Sequence, residues 1–411
     1  MNALELLVEQ LWAPGATDGV RVTVDPGPDQ PGPDWIEAER YWVLPDPGRA
    51  RLLLPVAPSP VLRAATGDHR GLRRPAAHLG RRALGLAATV GLPLSRHQVV
   101  VRARTAADAR GLPLACLARE LGHHHLWATF GVRTGANRKA TLQLVDDAGS
   151  AVGFAKLGWN TTADAYVSTE VRALREVGGV TAAMRAPRLL ASFTQGGRPV
   201  VVVEPLPSDV RGLRGAQQAP TSAELYALCP LERHARPGAT AHLRAVGRRL
   251  ATAAAGSGDA AAREVLASAI DLLARLDADR RTVPVQARWH GDLTPWNCAR
   301  DSSGQLWAWD WESCEVDAVA GLDALHWEFS VLRESGPVDA ISLATCLERA
   351  RHHLTAAGHG RTTHGVVAAV HALTMVERAA ALAAREGSWQ RVWVTPAQLG
   401  RFLAEARTLL G

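Results

Sequence analysis

The sequence predicts a mixed α+β fold: a small α/β segment, then a region built on an antiparallel sheet, then a mainly helical region. Three observations predict it. Between residues 123 and 207 short apolar runs alternate with turn residues, the pattern of strands. From 208 onward the apolar residues recur at helical spacing. The chain has 411 residues, more than one core usually serves, since domains run to about 100–200 residues. The expected organisation is therefore residues 1–122 as an N-terminal accessory domain, 123–207 as a sheet-bearing lobe and 208–411 as a helical lobe.

Taken in order, MNALELLVEQLW reads as a short amphipathic helix, and the Pro/Gly-rich segment from Asp25 to Trp35 as turns. RYWVLPDPGRARLLLPV places two apolar runs around Asp46-Pro47-Gly48, a hairpin signal. RRPAAHLGRRALGLAATVG has helical spacing with an arginine-rich, solvated face. LWATFGVRT, ATLQLVDD and VGFAKLGW then predict three consecutive antiparallel strands, the last two joined at Ala148-Gly149-Ser150. TADAYVSTEVRALREV is an amphipathic helix with Val167, Val171 and Leu174 at i, i+4 and i+7. APRLLASF and RPVVVVEPLP add two strands around Gly196-Gly197. The remainder is helical, interrupted once by ARWHGDLTPWNCARDSSGQLWAWDWE, a loop followed by a short hairpin.

Composition excludes several classes of function. Hydrophobic residues make up 47% and charged residues 21%, with no run of about 18 uncharged apolar residues, so no membrane partner is expected. The N-terminus carries acidic residues where an export signal needs basic ones, and a cytoplasmic location is the expectation. Five widely spaced cysteines without a C-x-x-C pair indicate neither a disulfide framework nor a zinc site. The net charge of +6 comes without a dense basic run, so nucleic acid is not an expected partner. Lysine occurs only at Lys139 and Lys156, the other 44 of the 46 basic residues being arginine. A lysine that persists against that bias marks a position where a compact ammonium is needed, an argument stronger for Lys156 than for Lys139.

The chemistry is concentrated in the interruption. Asp292 is followed five residues later by Asn297 and thirteen beyond that by Asp310, at the base of the predicted hairpin. Phosphoryl transfer needs such a set: a carboxylate to orient and deprotonate the attacking hydroxyl, and oxygen ligands for a magnesium ion bridging the phosphates. His290, directly before Gly291-Asp292, reads as a loop-holding residue. Trp296, Trp307, Trp309 and Trp311 read as packing around the hairpin. Adjacent residues of His123-His124-His125 would point to opposite faces of a strand, which argues against a metal tract. Glu328, Glu334 and Asp339 are candidates for an acceptor pocket or for a solvated helix face.

On these residues the chain resembles the aminoglycoside phosphotransferase and choline kinase superfamily, whose fold is protein-kinase-like. HGDLTPWN is similar to its H-G-D-x-x-x-x-N catalytic loop, and WDWE to the metal-binding Asp motif that comes after it. The resemblance spans about residues 126 to 380. It implies a bilobal fold and ATP or GTP with Mg²⁺ as cofactors, with Asp292 as catalytic carboxylate and Asn297 and Asp310 on the metal. It further implies that Lys156 contacts nucleotide phosphates and pairs with Glu170, and that Glu204 and Leu206 meet the adenine through their backbone. Asp323 in GLDALHW matches the Asp that braces the catalytic loop, with His290 as further support. GVRTGANRKATL lacks the kinase G-x-G-x-x-G, leaving backbone amides near Thr134, Gly135 and Ala136 to cradle phosphates. Asp310-Trp311-Glu312 lacks the glycine of D-F-G, against an activation-loop switch. The implied function is transfer of a γ-phosphate to a hydroxyl of a sugar, aminoglycoside, amino alcohol or related metabolite, the alternative being a pseudokinase-type nucleotide-binding or scaffolding module. The sequence leaves open the acceptor, the role of residues 1–122 and the oligomeric state.

Overall fold

Leu52-Leu53-Leu54 is an unbroken apolar run, and a strand of that kind is buried on both faces. In the computed structural model it forms β3 (Leu52–Pro55), fully buried, and pairs on one side with β2 (Ile36–Leu44) and on the other with β5 (Trp127–Gly131), with Leu52 opposite Gly131 and Leu53 opposite Phe130. The structure describes all residues except 1, 13–18, 26–33, 68–79, 81–82, 88, 90–91, 133–139, 178–182 and 214–218, and all side chains among them except those of 339 and 391. The described contacts divide the chain into two compact units, Met1–Gly179 with Ala186–Gly212, and Val180–Arg185 with Leu213–Gly411.

The first unit is organised by one nine-stranded antiparallel sheet in the order β1-β4-β2-β3-β5-β6-β7-β10-β9. Its remaining strands are β1 (Val20–Val24), β4 (Gln98–Ala103), β6 (Ala140–Val145), β7 (Ala151–Leu157), β9 (Leu189–Gln195) and β10 (Arg198–Val203), and the unit ends at the two-residue β11 (Arg211–Gly212). The segment 1–122, expected as a separate accessory domain, thus supplies β1 to β4 of the sheet to which β5 also belongs. The reason is edge pairing: a buried apolar strand cannot leave a row of backbone amides and carbonyls unmatched, and β5 matches those of β3. Alternation within a strand reports that it is a strand and is silent on its neighbour. The core of this unit mixes both segments. Helix α1 (Ala3–Trp12) buries Leu4, Leu7, Leu11 and Trp12, and Trp12, Tyr41 and Phe130 meet with ring centroids 5.1–5.8 Å apart. Helix α2 (Ser59–Gly67) packs beside β3 and β6. Helices α3 (Ala106–Gly111) and α4 (Pro113–Glu120) lead back to β5, and α5 (Thr161–Val177) comes after β7. Most of the turn segment Asp25–Trp35, and much of the arginine-rich helix expected between 73 and 91, lie outside the described residues.

The second unit is mainly helical. It opens with β8 (Met184–Arg185) and the short α6 (Ser222–Leu225). A three-stranded sheet is built from β12 (Leu231–Ala235), β13 (Val283–Trp289) and β16 (Glu315–Val319), with β13 central. The hairpin of β14 (Cys298–Arg300) and β15 (Leu306–Ala308) leaves the end of β13, and β8 adds to it in parallel. Around these pack α7 (Ala241–Gly256), α8 (Ala260–Ala278), α9 (Leu322–Ser335), α10 (Leu343–Ala356), α11 (His364–Glu386) and α12 (Pro396–Leu410). Helix α11 is buried without interruption from His364 to Glu377, because α7, α8, α9, α10 and α12 all pack on it. By length and apolarity it is the one helix among the described residues that matches a bilayer span, and here that apolar surface is spent on the core. At Gly365 a Cβ would lie 1.9 Å from the Leu409 carbonyl oxygen, so the glycine sets how closely α11 and α12 approach.

Replacing Phe130 by Ala should destabilise the first unit by about 3–5 kcal/mol, since it removes the ring shared by the segments on either side of residue 122. Urea denaturation of the two chains checks this. An unchanged midpoint would mean that the N-terminal strands form an independent body after all.

Candidate active site

Alternation along β7 sends Ala155 and Leu157 into the sheet core shared with α1 and leaves Lys156 on the opposite face. Thr141 of β6 and Val201 of β10 are its neighbours across the sheet. Helix α5 presents a buried stripe of Ala163, Val167, Glu170, Leu174 and Val177, a spacing of alternate fours and threes. A glutamate in the middle of that stripe would be costly alone. It is matched by Lys156, whose Nζ lies 2.6 Å from both Glu170 carboxylate oxygens, with side-chain exposures of 10% and 2%. Such a buried pair is weak evidence for stability, because desolvation offsets most of its attraction, so its presence is better explained by the charge it holds in place. The sequence expectation for this pair corresponds to a direct contact in the structure.

The segment Glu204-Pro205-Leu206-Pro207 restricts its own hydrogen bonding, since neither proline has an amide hydrogen. Glu204 N–H donates to the Arg188 carbonyl at 3.0 Å, and the Glu204 carboxylate accepts from the Arg188 amide at 2.9 Å and guanidinium at 2.7 Å. Of the two residues expected to meet an adenine, Glu204 therefore offers its carbonyl and Leu206 its N–H. Thr134, Gly135 and Ala136, expected near the phosphates, lie outside the described residues, as do Arg138 and Lys139.

In the second unit β13 ends at Trp289 and the chain turns sharply at Gly291, whose φ is +85°. The turn aims two consecutive amides at one carboxylate: His290 N–H and Gly291 N–H donate to the two oxygens of Asp323 at 2.8 and 3.0 Å. Asp323 stands in the first turn of α9, and its burial pushes the carboxyl up to about 6 against the opposing pull of those amides and of Arg378. Arg378 of α11 donates to the Gly291 carbonyl and lies over the Trp289 ring at 4.9 Å. A Cβ on residue 291 would sit 2.1 Å from the Ser313 carbonyl oxygen, so the position tolerates glycine alone.

His290 is buried, and desolvation pulls its pKa down to about 4, so its ring is neutral near pH 7. Nε2 donates to the Trp309 carbonyl at 3.1 Å while Nδ1 accepts from the Asp292 amide at 3.2 Å. Both nitrogens are engaged in holding the loop. Asp292 itself is half-buried. One of its carboxylate oxygens accepts from Asn297 Nδ2 at 2.8 Å and the other from His326 Nε2 at 3.3 Å. The same Asn297 amide donates to the Asp292 carbonyl at 3.0 Å, which turns the Asn297 Oδ1 away from Asp292. Across the hairpin the Trp309 amide donates to the Asn297 carbonyl at 3.1 Å, so Asp310 comes directly beside Asn297. Asp310 has φ +68°, a left-handed conformation that aspartate and asparagine adopt more readily than other residues bearing a Cβ. Asn297 Oδ1 and the Asp310 carboxylate are hard oxygen donors, the set a magnesium ion takes.

Three residues around Asp292 were not anticipated: His326, Arg333 and Arg378. His326 had a readable signal, since it lies three residues after Asp323 and therefore on the same face of α9. Arg378 comes from α11, 87 positions from its partner Gly291, and had none. Of the four tryptophans, Trp307 and Trp311 are buried, and Trp296 and Trp309 are half-exposed. Glu328, a candidate for the acceptor pocket, turns instead to Arg349 of α10 at 3.8 Å.

No protein-family model and no curated protein matches the chain. Among solved structures it is similar to a candidate fructosamine-3-kinase from Haemophilus somnus 129PT, with 11% identity, covering 72% of this chain and 96% of that one, at a TM-score of 0.47. It is also similar to a choline/ethanolamine kinase family protein from Mesorhizobium loti, with 14% identity, coverage of 74% and 93%, and a TM-score of 0.39.

Gly291→Ala should misplace Asp292 and lower any Asp292-dependent turnover by about 100-fold, the scale expected of a displacement near 1 Å, while circular dichroism stays native. Wild-type turnover in that variant would mean the loop geometry is immaterial. Asp323 gives a pH signature. Its folded pKa, about 6, lies above the ordinary 3.8, so the stability it contributes is fully present below 3.8 and is lost as pH rises through 6. The stability difference between wild type and Asp323→Asn should therefore widen in favour of wild type as pH falls from 6 to 3.8. Parallel denaturation midpoints across that window would contradict the assignment.

Proposed function

We propose that this protein is a small-molecule kinase, transferring the γ-phosphate of ATP or GTP to a hydroxyl group. The observation that carries the reading is the Asp292 network: a half-exposed carboxylate with both oxygens positioned, beside an asparagine and an aspartate that offer oxygen ligands. In the proposed reaction the acceptor oxygen forms a bond to the γ-phosphorus as the β–γ bridging P–O bond breaks. Asp292 takes the hydroxyl proton, and the nucleoside diphosphate leaves. Asn297 orients Asp292, and His326, neutral through burial, steadies the other oxygen. Asn297 and Asp310 would hold Mg²⁺, which when bound neutralises charge on the β- and γ-phosphates.

Lys156 supplies a compact cation for the α- and β-phosphates, and Glu170 fixes its direction. The Glu204 carbonyl and the Leu206 N–H provide the acceptor and donor an adenine edge needs. Positioning and electrostatics account for rate enhancement in such a reaction, with little covalent work for the protein. A nucleotide and a small molecule are then the partners, and a cytoplasmic location suits both.

Nucleotide consumption by the purified protein with Mg²⁺ should depend on an added acceptor. Asp292→Asn should retain nucleotide binding and lose turnover by about 10²–10⁴-fold, the usual contribution of a positioned base. Asp310→Asn should weaken Mg²⁺-dependent nucleotide binding itself. Binding without turnover across a broad acceptor panel would favour a pseudokinase, and absence of nucleotide binding would sink the reading.

A further inference from the structure

Helix α9 carries His326, Phe329 and Arg333 at i, i+3 and i+7, which places them on one face. The face begins at the proposed base, where His326 Nε2 meets Asp292. It continues through the Phe329 ring, whose centroid is 6.4 Å from His326 and 5.7 Å from Trp393. It ends at Arg333, whose guanidinium lies 4.9 Å from the Trp296 ring and 5.3 Å from the Trp393 ring. Trp296 is the residue before Asn297, so this clamp is joined directly to the catalytic loop.

A guanidinium held against two indoles keeps its plane fixed and its N–H fork available at the edges. Both tryptophans are half-exposed and Arg333 is half-buried. Among the described residues the Arg333 side chain makes neither a hydrogen bond nor an ion pair. Its electrostatic neighbours are Asp292 and Glu334, and desolvation outweighs both, pulling its pKa below the usual value. Glu328, the carboxylate that a cationic acceptor would want, is turned away to Arg349. A cation oriented by two indoles, with no hydrogen bond or ion pair of its side chain among the described residues, is a receptor for an anion beside the proposed base.

We propose that the phosphate acceptor carries an anionic oxyacid group, a carboxylate or a phosphate, which pairs with the Arg333 fork while its hydroxyl is presented to Asp292. This rests on the kinase reading above and narrows its acceptor class. His326 and Arg333 lie on the same face of one helix, so a small molecule that carries both an acid group and a hydroxyl, as sugar acids and sugar phosphates do, can meet Arg333 and Asp292 together. A polyamine would bring ammonium groups against Arg333, and that repulsion selects against it.

The test compares matched acceptors: gluconate and glucose 6-phosphate against glucose, and glycerate against glycerol and ethanolamine. Acid members should be turned over preferentially, with gluconate and glucose 6-phosphate separating carboxylate from phosphate recognition. Arg333→Met should raise their KM by about tenfold or more with a smaller change in kcat, and Arg333→Lys should recover part of the loss. Asp292-dependent turnover that favours the neutral or amine members would overturn this inference while leaving the kinase reading standing. Calorimetric titration of gluconate and glucose 6-phosphate, each against glucose, covers the case in which no panel member is turned over. Anion-selective binding weakened by Arg333→Met supports the subsite. Absent binding, or binding indifferent to the substitution, overturns it.

Discussion

Two consecutive amides, those of His290 and Gly291, converge on the carboxylate of Asp323, and the position of Asp292 depends on that convergence. Adjacent amides of an extended chain point in opposite directions. They can share one acceptor here because Gly291 adopts a positive φ, which reverses the chain and delivers Asp292 on the far side of the turn. The acceptor has to be a carboxylate, with an oxygen for each amide, and it has to be buried beneath the loop. Burial disfavours the charge, which is why the Asp323 carboxyl is pushed up to about 6, while the amides and the Arg378 guanidinium act in the opposite direction. Arg378 completes the turn by holding the Gly291 carbonyl, so three peptide groups in succession are anchored by two side chains from two helices.

Around this anchor desolvation keeps the buried imidazoles neutral near pH 7. Burial holds His290 near 4 and His242 near 3, and keeps His371 well below its ordinary value. These imidazoles act as neutral polar packing. His290 holds the loop with a definite tautomer, and His242 lies edge-on to Trp289, ring centroids 5.2 Å apart, under the end of β13. The charged side chain types near the loop are guanidinium groups and carboxylates: Arg378 at the turn, Arg333 beside the tryptophans, and Asp292 between loop and helix.

Much of this is legible in the amino-acid sequence, though unevenly. Lys156 and Glu170 are legible because each breaks a local rule: one of two lysines in an arginine-rich chain, and a glutamate inside an apolar helical stripe. The set Asp292, Asn297 and Asp310 is legible because a loop and a hairpin interrupt a helical region. His326 is within reach, since i and i+3 on a helix share a face and Asp323 already stands out. Arg378 and the pairing of Arg333 with Trp393 are out of reach, because each joins residues far apart in sequence whose local patterns are those of ordinary helices.

The sequence by itself marked α1, the strands β5, β6, β7, β9 and β10, α5 and the long helices after residue 240, since period and turn residues act over a few residues, but it did not show β1, β4, β12 or β16, whose short runs carry no such pattern. It also singled out Lys156, Asp292, Asn297 and Asp310 as candidates for chemistry. Tertiary structure alone decided that β3 pairs with β5, so that residues 1–122 share one sheet with β5, β6, β7, β9 and β10. It alone placed a carboxylate beneath the His290-Gly291 amides and two tryptophans against Arg333. The physical reason is the same in each case: hydrogen-bond donors and apolar surfaces must find partners, and local spacing states that a partner is needed without stating where along the chain it lies.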